Sequence, residues 1–280
     1  MKKILILWLL LISTTGFADP KPWITYSSKT LTQGDTLKIS LKCLHTQPCT
    51  ILFQDKTYPL FQTDPPNPDY QIYLGISRTL SPGNYKVTIN NTIPMTLTIK
   101  DGKFPYSHIT LLGEKKTLAD DESELTEEVT LIKEKCDIIT PKKLFSSQFI
   151  VPTDGRVTTK FGAYRIYNQK KESHRHAGID LANKEGTLIV ATNSGKVILS
   201  KQLKSHGNTI LIDHGWGIIS IYNHLNSRSV KEGDLVKINQ PIGTMGTTGI
   251  STGSHLHWGL SVLGTRVNPA YWLSELKLYN

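Results

Sequence analysis

The sequence predicts a mainly β chain in which two β-rich units are joined by a helical linker, and three observations predict it. Short alternating apolar segments separated by turn residues fill the stretch from Leu37 to Ile99. From about Phe149 onward, apolar strand-like runs are punctuated by glycine. Between them, Leu118, Leu125, Val129, Ile132 and Cys136 recur at intervals of seven, four, three and four, a helical stripe. These textures divide the 280 residues into an N-terminal segment 1–18, a β module 19–100, a linker with a helix 101–147 and a β-rich domain 148–280. A chain of this length can bury two modest cores.

The first segment reads as a signal peptide. Lys2 and Lys3 precede an apolar run from Ile4 to Ile12, followed by small residues at Gly16 and Ala18, after which cleavage is expected. The run falls short of the roughly 20 apolar residues that a membrane helix needs, so no stable membrane anchor is expected. Cysteine is absent near the cleavage point, which argues against a lipoprotein. The expectation is an exported protein, with the periplasm favoured over the extracellular space. Export gives the cysteines an oxidising surrounding, and Cys43 and Cys49 on either side of Pro48 would close a small disulfide loop. Pairing of Cys43 with Cys136, or three free thiols, stays open. The formal net charge of +9 suits approach to anionic envelope polymers, or simply a Lys-rich solvated surface. No basic cluster is interleaved with aromatics, so nucleic acid is not indicated.

In the module, Leu37-Lys38-Ile39-Ser40-Leu41, Thr50-Ile51-Leu52-Phe53, Tyr85-Lys86-Val87-Thr88-Ile89 and Met95-Thr96-Leu97-Thr98-Ile99 read as strands of a small β-sandwich. Pro82-Gly83-Asn84-Tyr85 resembles the corner before a late strand in immunoglobulin-like modules. In the linker, Asp120, Asp121 and Ser123 can cap the helix, Lys133 and Lys135 suit its C-terminal dipole, and Pro141 stops it. The plain expectation is a connecting helix packed on one of the domains; the sharper one is a segment that restrains access to a site. In the last domain, Thr187–Ala191, Lys196–Leu199, Thr209–Ile212 and Ile218–Tyr222 read as closely connected, mostly antiparallel strands.

Five residues of this domain carry the candidate chemistry: His176, Asp180, His224, His255 and His257. His255-Leu256-His257 leads into the apolar run Trp258–Val262 and reads as a strand, so both imidazoles face one side. His176-Ala177-Gly178-Ile179-Asp180 sets an imidazole and a carboxylate around a glycine. Two histidines and one carboxylate are zinc ligands that leave a position open, as catalytic sites do. The cysteines do not have the spacing of a zinc ribbon or finger.

Taken together, Phe161-Gly162, Arg165 and His176-Ala177-Gly178-Ile179-Asp180, then Tyr222-Asn223-His224-Leu225, then the glycine-spaced Gly243, Gly246, Gly249 and Thr252-Gly253-Ser254-His255-Leu256-His257, and finally Val267-Asn268-Pro269, resemble the lysostaphin/LytM-type zinc metallopeptidases. They occur in that family's order over roughly 149–273, and Phe104-Pro105 is similar to the lead-in of an exported subgroup with a β-rich N-terminal module. The resemblance implies a LytM-like antiparallel β catalytic domain holding one zinc ion per chain on His176, Asp180 and His257. It implies His224 and His255 as the catalytic pair, and an endopeptidase that hydrolyses amide bonds of peptidoglycan stem peptides or cross-links with a zinc-bound water. Ser254 departs from the proline that many members carry, which alters a turn and removes no ligand. A thermolysin-like H-E-x-x-H glutamate base is absent from the sequence.

Two other readings compete: a non-catalytic activator of cell-wall hydrolases, as in family members that have lost ligands, and proteolysis of a glycine-rich protein. His206 and His214 sit by glycine turns and read as structural or exposed; His174 is the other histidine that could reach the cleft. Arg165 reads equally as a contact for a substrate carboxylate or as half of a structural ion pair. Oligomeric state is not legible from the sequence.

Overall fold

The computed structural model describes residues 23–42, 49–63, 69–90, 92–120, 122–146, 148–168 and 170–273. Segment 1–18, expected from the sequence to be a signal peptide, lies outside them, as does Cys43. Alternating residues build the N-terminal module from nine strands: β1 (Trp23–Tyr26), β2 (Thr30–Thr32), β3 (Thr36–Lys42), β4 (Thr50–Phe53), β5 (Lys56–Pro59), β6 (Phe61–Gln62), β7 (Asp69–Gly75), β8 (Gly83–Ile89) and β9 (Ile93–Lys100). They form two sheets, ordered β1-β3-β7-β6 and β2-β9-β8-β4-β5. β2 runs parallel to β9, whereas β8 and β9 are antiparallel. This strand order is that of an immunoglobulin sandwich. Leu37, Ile39, Leu41, Ile51, Ile72, Leu74, Val87 and Leu97 fill its core, each an inward position of an alternating strand. At the corner before β8, the Tyr85 hydroxyl donates to the Ser81 carbonyl at 2.7 Å, which ties the turn to the strand it feeds. Cys49 is disulfide-bonded, while Cys136 keeps a free, buried thiol, so the Cys43–Cys136 pairing does not form.

The linker holds β10 (Tyr106–Ile109), α1 (Glu114–Asp120) and α2 (Glu122–Cys136). The helix expected from Leu118 to Cys136 is therefore two. The buried face of α2 also differs from the apolar stripe: Val129 is 55% exposed, and Glu128, Ile132 and Cys136 point inward. Spacing by four selects that face, and apolar periodicity offers no reason to place a carboxylate on it. Ile132 and Cys136 pack on Leu199, Leu203, Leu211, Ile219 and Ile221 of the C-terminal domain.

That domain contains β11 (Arg156–Thr159), β12 (Tyr164–Tyr167), β13 (Lys170–Arg175), β14 (Gly178–Ala182), β15 (Leu188–Val190), β16 (Gly195–Leu203), β17 (Gly207–Asp213), β18 (Ile218–Arg228), β19 (Leu235–Val236), β20 (Pro241–Met245), β21 (His255–Val262) and β22 (Thr265–Val267), then a short 3-10 turn, Pro269–Trp272. Its main sheet runs β11-β14-β21-β18-β17-β16-β19, with β15, β20 and β22 paired at its margins. The linker strand β10 lies parallel beside β12 and enters a separate small sheet with β12 and β13.

The two domains share one core. Leu260, Val262 and Val267 of β21 and β22 join the sandwich residues, together with Phe145, Phe149 and Trp216. Phe61 stacks on Trp216 at 5.4 Å, and Tyr73 lies 4.9 Å from Trp272, whose indole N–H donates to Thr36 Oγ1. The module thus grips the far end of β21, away from His255 and His257 at its start.

His214 is fully buried behind this sheet, with Nδ1 2.8 Å from the Ser194 carbonyl and Nε2 2.8 Å from Ser220 Oγ. Burial pushes its pKa down to about 4. The unfolded chain, with an ordinary histidine near pKa 6.5, binds this proton first, so the stabilising contribution is present above pH 6.5 and is lost as pH falls towards 4. The full loss is about 3 kcal/mol. Urea unfolding at pH 7 and pH 4.5 should therefore show a smaller pH dependence for His214→Gln than for the parent chain. Equal pH dependence in the two proteins would assign the acid sensitivity to other groups.

Candidate metal and catalytic site

The site forms where β14, β21 and β18 lie side by side. Antiparallel pairing sets Asp180 of β14 directly across from His257 of β21, and His257 across from Asn223 of β18. His255 and His257, two apart, face the same side of β21. His176 sits just before β14, its backbone N–H bonded to the Ala163 carbonyl and its own carbonyl to Gly162 N–H. Gly178 lets this turn press on β21, because a Cβ there would strike the Trp258 carbonyl and the His257 ring.

His224 enters differently. The β17–β18 register shifts between Ile210↔Tyr222 and Asn208↔Leu225, a bulge that contains Asn223 and His224. His224 takes a left-handed φ of +64°. For a residue other than glycine that conformation costs about 1–2 kcal/mol and concentrates at functional sites. It turns the His224 ring toward the β21 histidines, 4.8 Å from His255 and 6.3 Å from His257 between centroids.

Three donor atoms converge. His176 Nε2 lies 2.8 Å from His257 Nδ1 and 2.9 Å from Asp180 Oδ1, and His257 Nδ1 lies 2.9 Å from the same oxygen. Among the described residues this trio is the group able to hold a metal ion. Its chemistry fits one. His176 Nδ1 is 3.0 Å from the Lys160 carbonyl, so that nitrogen carries the ring proton and Nε2 presents a bare lone pair. Burial lowers the pKa of His176, and takes that of His257 down to about 3, so both rings are neutral. Burial alone would raise the Asp180 carboxyl, but the facing His176 and His257 and the Arg165 guanidinium hold it well below the usual range. Two imidazole lone pairs and a carboxylate oxygen packed this closely repel one another without a cation between them. Separations of 2.8–2.9 Å also let all three reach one ion at the ~2.0–2.2 Å typical of zinc.

The partners divide the carboxylate. Oδ1 faces the two histidines, while Oδ2 accepts from Arg165 at 2.7 Å, so Arg165 forms the ion pair rather than a free anchor for a carboxylate. Of the remaining histidines, His224 has Nδ1 2.9 Å from the Thr248 carbonyl, and His255 has Nδ1 2.8 Å from the Gly253 carbonyl. Each therefore donates from Nδ1, which leaves Nε2 as the ring nitrogen not engaged by that carbonyl. Burial, reinforced by His255 and His257, holds the His224 pKa well below its usual value. His206 belongs to a separate cluster with Glu128 of α2. The His174 side chain lies outside the described residues.

A groove of roughly 350 Å³ opens over Asp180 and His255. One wall is the loop Ile250–Ser254; the other is the linker, through Ser107, His108, Ile109 and Leu111. Sequence reasoning missed these four, since they lie in a stretch with neither periodicity nor a motif. None of the lining residues comes from the N-terminal module.

Residues 174–269 match the profile described as "Peptidase family M23". Over 125 residues the chain is 38% identical to the "Murein hydrolase activator NlpD" of Salmonella dublin, covering 44% of this chain and 31% of that protein. It is 36% identical over 114 residues to the "DD-carboxypeptidase/endopeptidase Mpg" of Neisseria meningitidis serogroup B, covering 41% of this chain and 26% of the relative. The chain thus spans about a third or less of the length of these relatives. A solved peptidase M23 structure from Pseudomonas aeruginosa superposes with a TM-score of 0.66 at 23% identity, over 89% of this chain and 96% of the other, so the two-domain fold as a whole is shared.

Proposed function

We propose, from the match of residues 174–269 to peptidase family M23, that the chain is an exported zinc endopeptidase that hydrolyses peptide bonds in peptidoglycan stem peptides or cross-links. The observation that carries the reading is the convergence of His176 Nε2, Asp180 Oδ1 and His257 Nδ1 beside an open groove, with His255 lining that groove and the His224 ring 4.8 Å from the His255 ring between centroids.

His176, Asp180 and His257 would hold the zinc ion. When bound, zinc supplies a Lewis acid for the scissile carbonyl and brings the ionisation of water into the neutral range. The chain's own residues do the rest. Arg165 keeps Asp180 ionised and turned so that one oxygen faces the donor cluster. As water oxygen bonds to the amide carbon, His224 Nε2 or His255 Nε2 takes the proton; returning it to the leaving nitrogen completes the C–N cleavage. In their protonated form the same rings donate to the developing oxyanion. Fixing each Nδ1–H on a backbone carbonyl sets the tautomer that makes this possible.

The similarity to NlpD raises the activator reading, in which the groove binds without cutting. Presence of all three donors and both further histidines favours hydrolysis. Mass spectrometry of products released from purified sacculi decides it. Conversion of cross-linked dimers to monomers that stops on chelation and returns with zinc is the expected result. Sacculi left intact by the zinc-loaded protein, together with stimulation of an added amidase, would establish an activator. Cleavage of glycine-rich peptides but not sacculi would redirect the substrate.

A further inference from the structure

Glu128 is a buried carboxylate on a linker helix, and the proposed chemistry makes no use of it. It is 4% exposed, yet it belongs to none of the apolar contacts that dock α2. Its two oxygens accept from the backbone N–H groups of Lys204, Ser205 and His206 and from the Ser205 hydroxyl, and Oε2 lies 2.8 Å from His206 Nδ1. Successive N–H groups pointing at one anion form a nest, whose shape depends on the anion at its centre. Burial alone would raise this carboxyl, but the hydrogen bonds from His206 and Ser205 hold it down to about 2, so the anion persists at any physiological pH.

The 204–206 turn organised in this way supplies both supports of His224. The His206 carbonyl accepts the His224 backbone N–H at 3.0 Å, at the residue held at φ +64°. The Ser205 carbonyl accepts Ile250 N–H at 2.8 Å, which fixes the neighbouring turn whose Thr248 carbonyl holds His224 Nδ1 at 2.9 Å. The two turns meet backbone to backbone through Gly207 and Gly249, both at positive φ. A Cβ on Gly207 would collide with Thr248, and one on Gly249 with the Ser205 carbonyl. Contact without intervening side chains passes displacement of one turn directly to the other.

We infer that Glu128 is a positioning residue for His224: from the linker helix it shapes the 204–206 turn that holds both the strained backbone and the ring tautomer of that histidine. The inference rests on the proposed role of His224 for its effect on rate, and on geometry alone for its effect on the ring. Glutamine at this position would replace one accepting oxygen by an NH2 facing N–H donors, so the nest opens while the helix keeps its apolar contacts.

The test uses the full chain and compares Glu128→Gln with Ile132→Ala, which weakens docking of α2 without touching the turn. The ring-proton resonance of His224 Nδ1–H, assigned by its disappearance in His224→Gln, reports the position of the ring whether or not a substrate is cut. Glu128→Gln should shift or broaden this resonance and lower kcat at least tenfold, with KM within about twofold and metal content unchanged. Ile132→Ala should leave the resonance and kcat as in the parent chain. An unshifted resonance and full kcat in Glu128→Gln would overturn the inference, and so would equal losses in both variants. Should Glu128→Gln fail to fold, Ser205→Ala removes a single donor and should shift the same resonance less; no shift there also overturns it. If the parent chain cuts nothing, the hydrolase reading fails while the resonance still decides the positioning role.

Discussion

Alanine in place of His257 should abolish binding of zinc at stoichiometric concentration and lower hydrolysis by on the order of 10³-fold or more. Loss of a partner that only orients a metal ligand already costs roughly 10–100-fold in affinity or activity, and loss of a ligand itself costs more. His257 Nδ1 is the atom shared between the two other donors, 2.8 Å from His176 Nε2 and 2.9 Å from Asp180 Oδ1. Without it the pair that remains offers two contacts, too few to set an open tetrahedral site. The fold should survive, because truncating His257 leaves the β14–β21–β18 ladder in place. Metal content by mass spectrometry, circular dichroism and release of muropeptides together check the expectation. Zinc retained at parent affinity alongside lost cleavage would move His257 from ligand to proton carrier. Parent activity would remove the site altogether.

How far the site could be read from the sequence follows from the range of each interaction. His255-Leu256-His257 was legible because the period of a strand is local: residues two apart face one side whatever the strand pairs with. His176 and Asp180 were legible as candidate ligands close in sequence, but the register that puts Asp180 across from His257 depends on strands 77 residues apart in sequence. The resemblance to a family supplied that long-range information; periodicity did not. The strained φ of His224 was invisible, since nothing in Tyr222-Asn223-His224-Leu225 marks a bulge, and the asparagine immediately before it would be the usual suspect for a left-handed residue.

The linker marks where local reasoning stops. A helix was expected from the apolar stripe, and helices form there, but the stripe put Val129 inside and Glu128 outside. Apolar periodicity cannot recognise a buried carboxylate whose partners are backbone N–H groups of a turn some 77 residues later. Nor did composition show that β10 would pair beside β12 and build one wall of the groove. In the module, by contrast, alternation, the corner at Pro82-Gly83-Asn84-Tyr85 and the turn residues agree with one another, and the sandwich was accessible from them. What the sequence did not disclose is that the module shares its core with the C-terminal domain. Phe61, Tyr73, Trp216 and Trp272 carry no local signal that they meet across the two domains.

Alanine at His224 should separate the catalytic pair from the ligands. Zinc should stay bound at parent affinity, because His224 contributes no atom to the His176–Asp180–His257 trio. Proton transfer by a positioned side chain is worth typically 10²–10⁴-fold, so kcat should fall by about that amount while KM changes little. His255→Ala should behave alike, with Nε2 4.0 Å from Asp180 Oδ1 and close enough to touch a substrate in the groove. The double variant decides whether the two rings act as a unit. If one ring accepts the proton that the other helps to hold, removing both should cost hardly more than removing either, as for groups that serve a single step. Fully multiplicative losses would mean independent duties, one ring for the attacking water and the other for the oxyanion. Loss of zinc from either single variant would instead draw that histidine into the metal site, and the division between ligands and proton carriers proposed here would have to be redrawn.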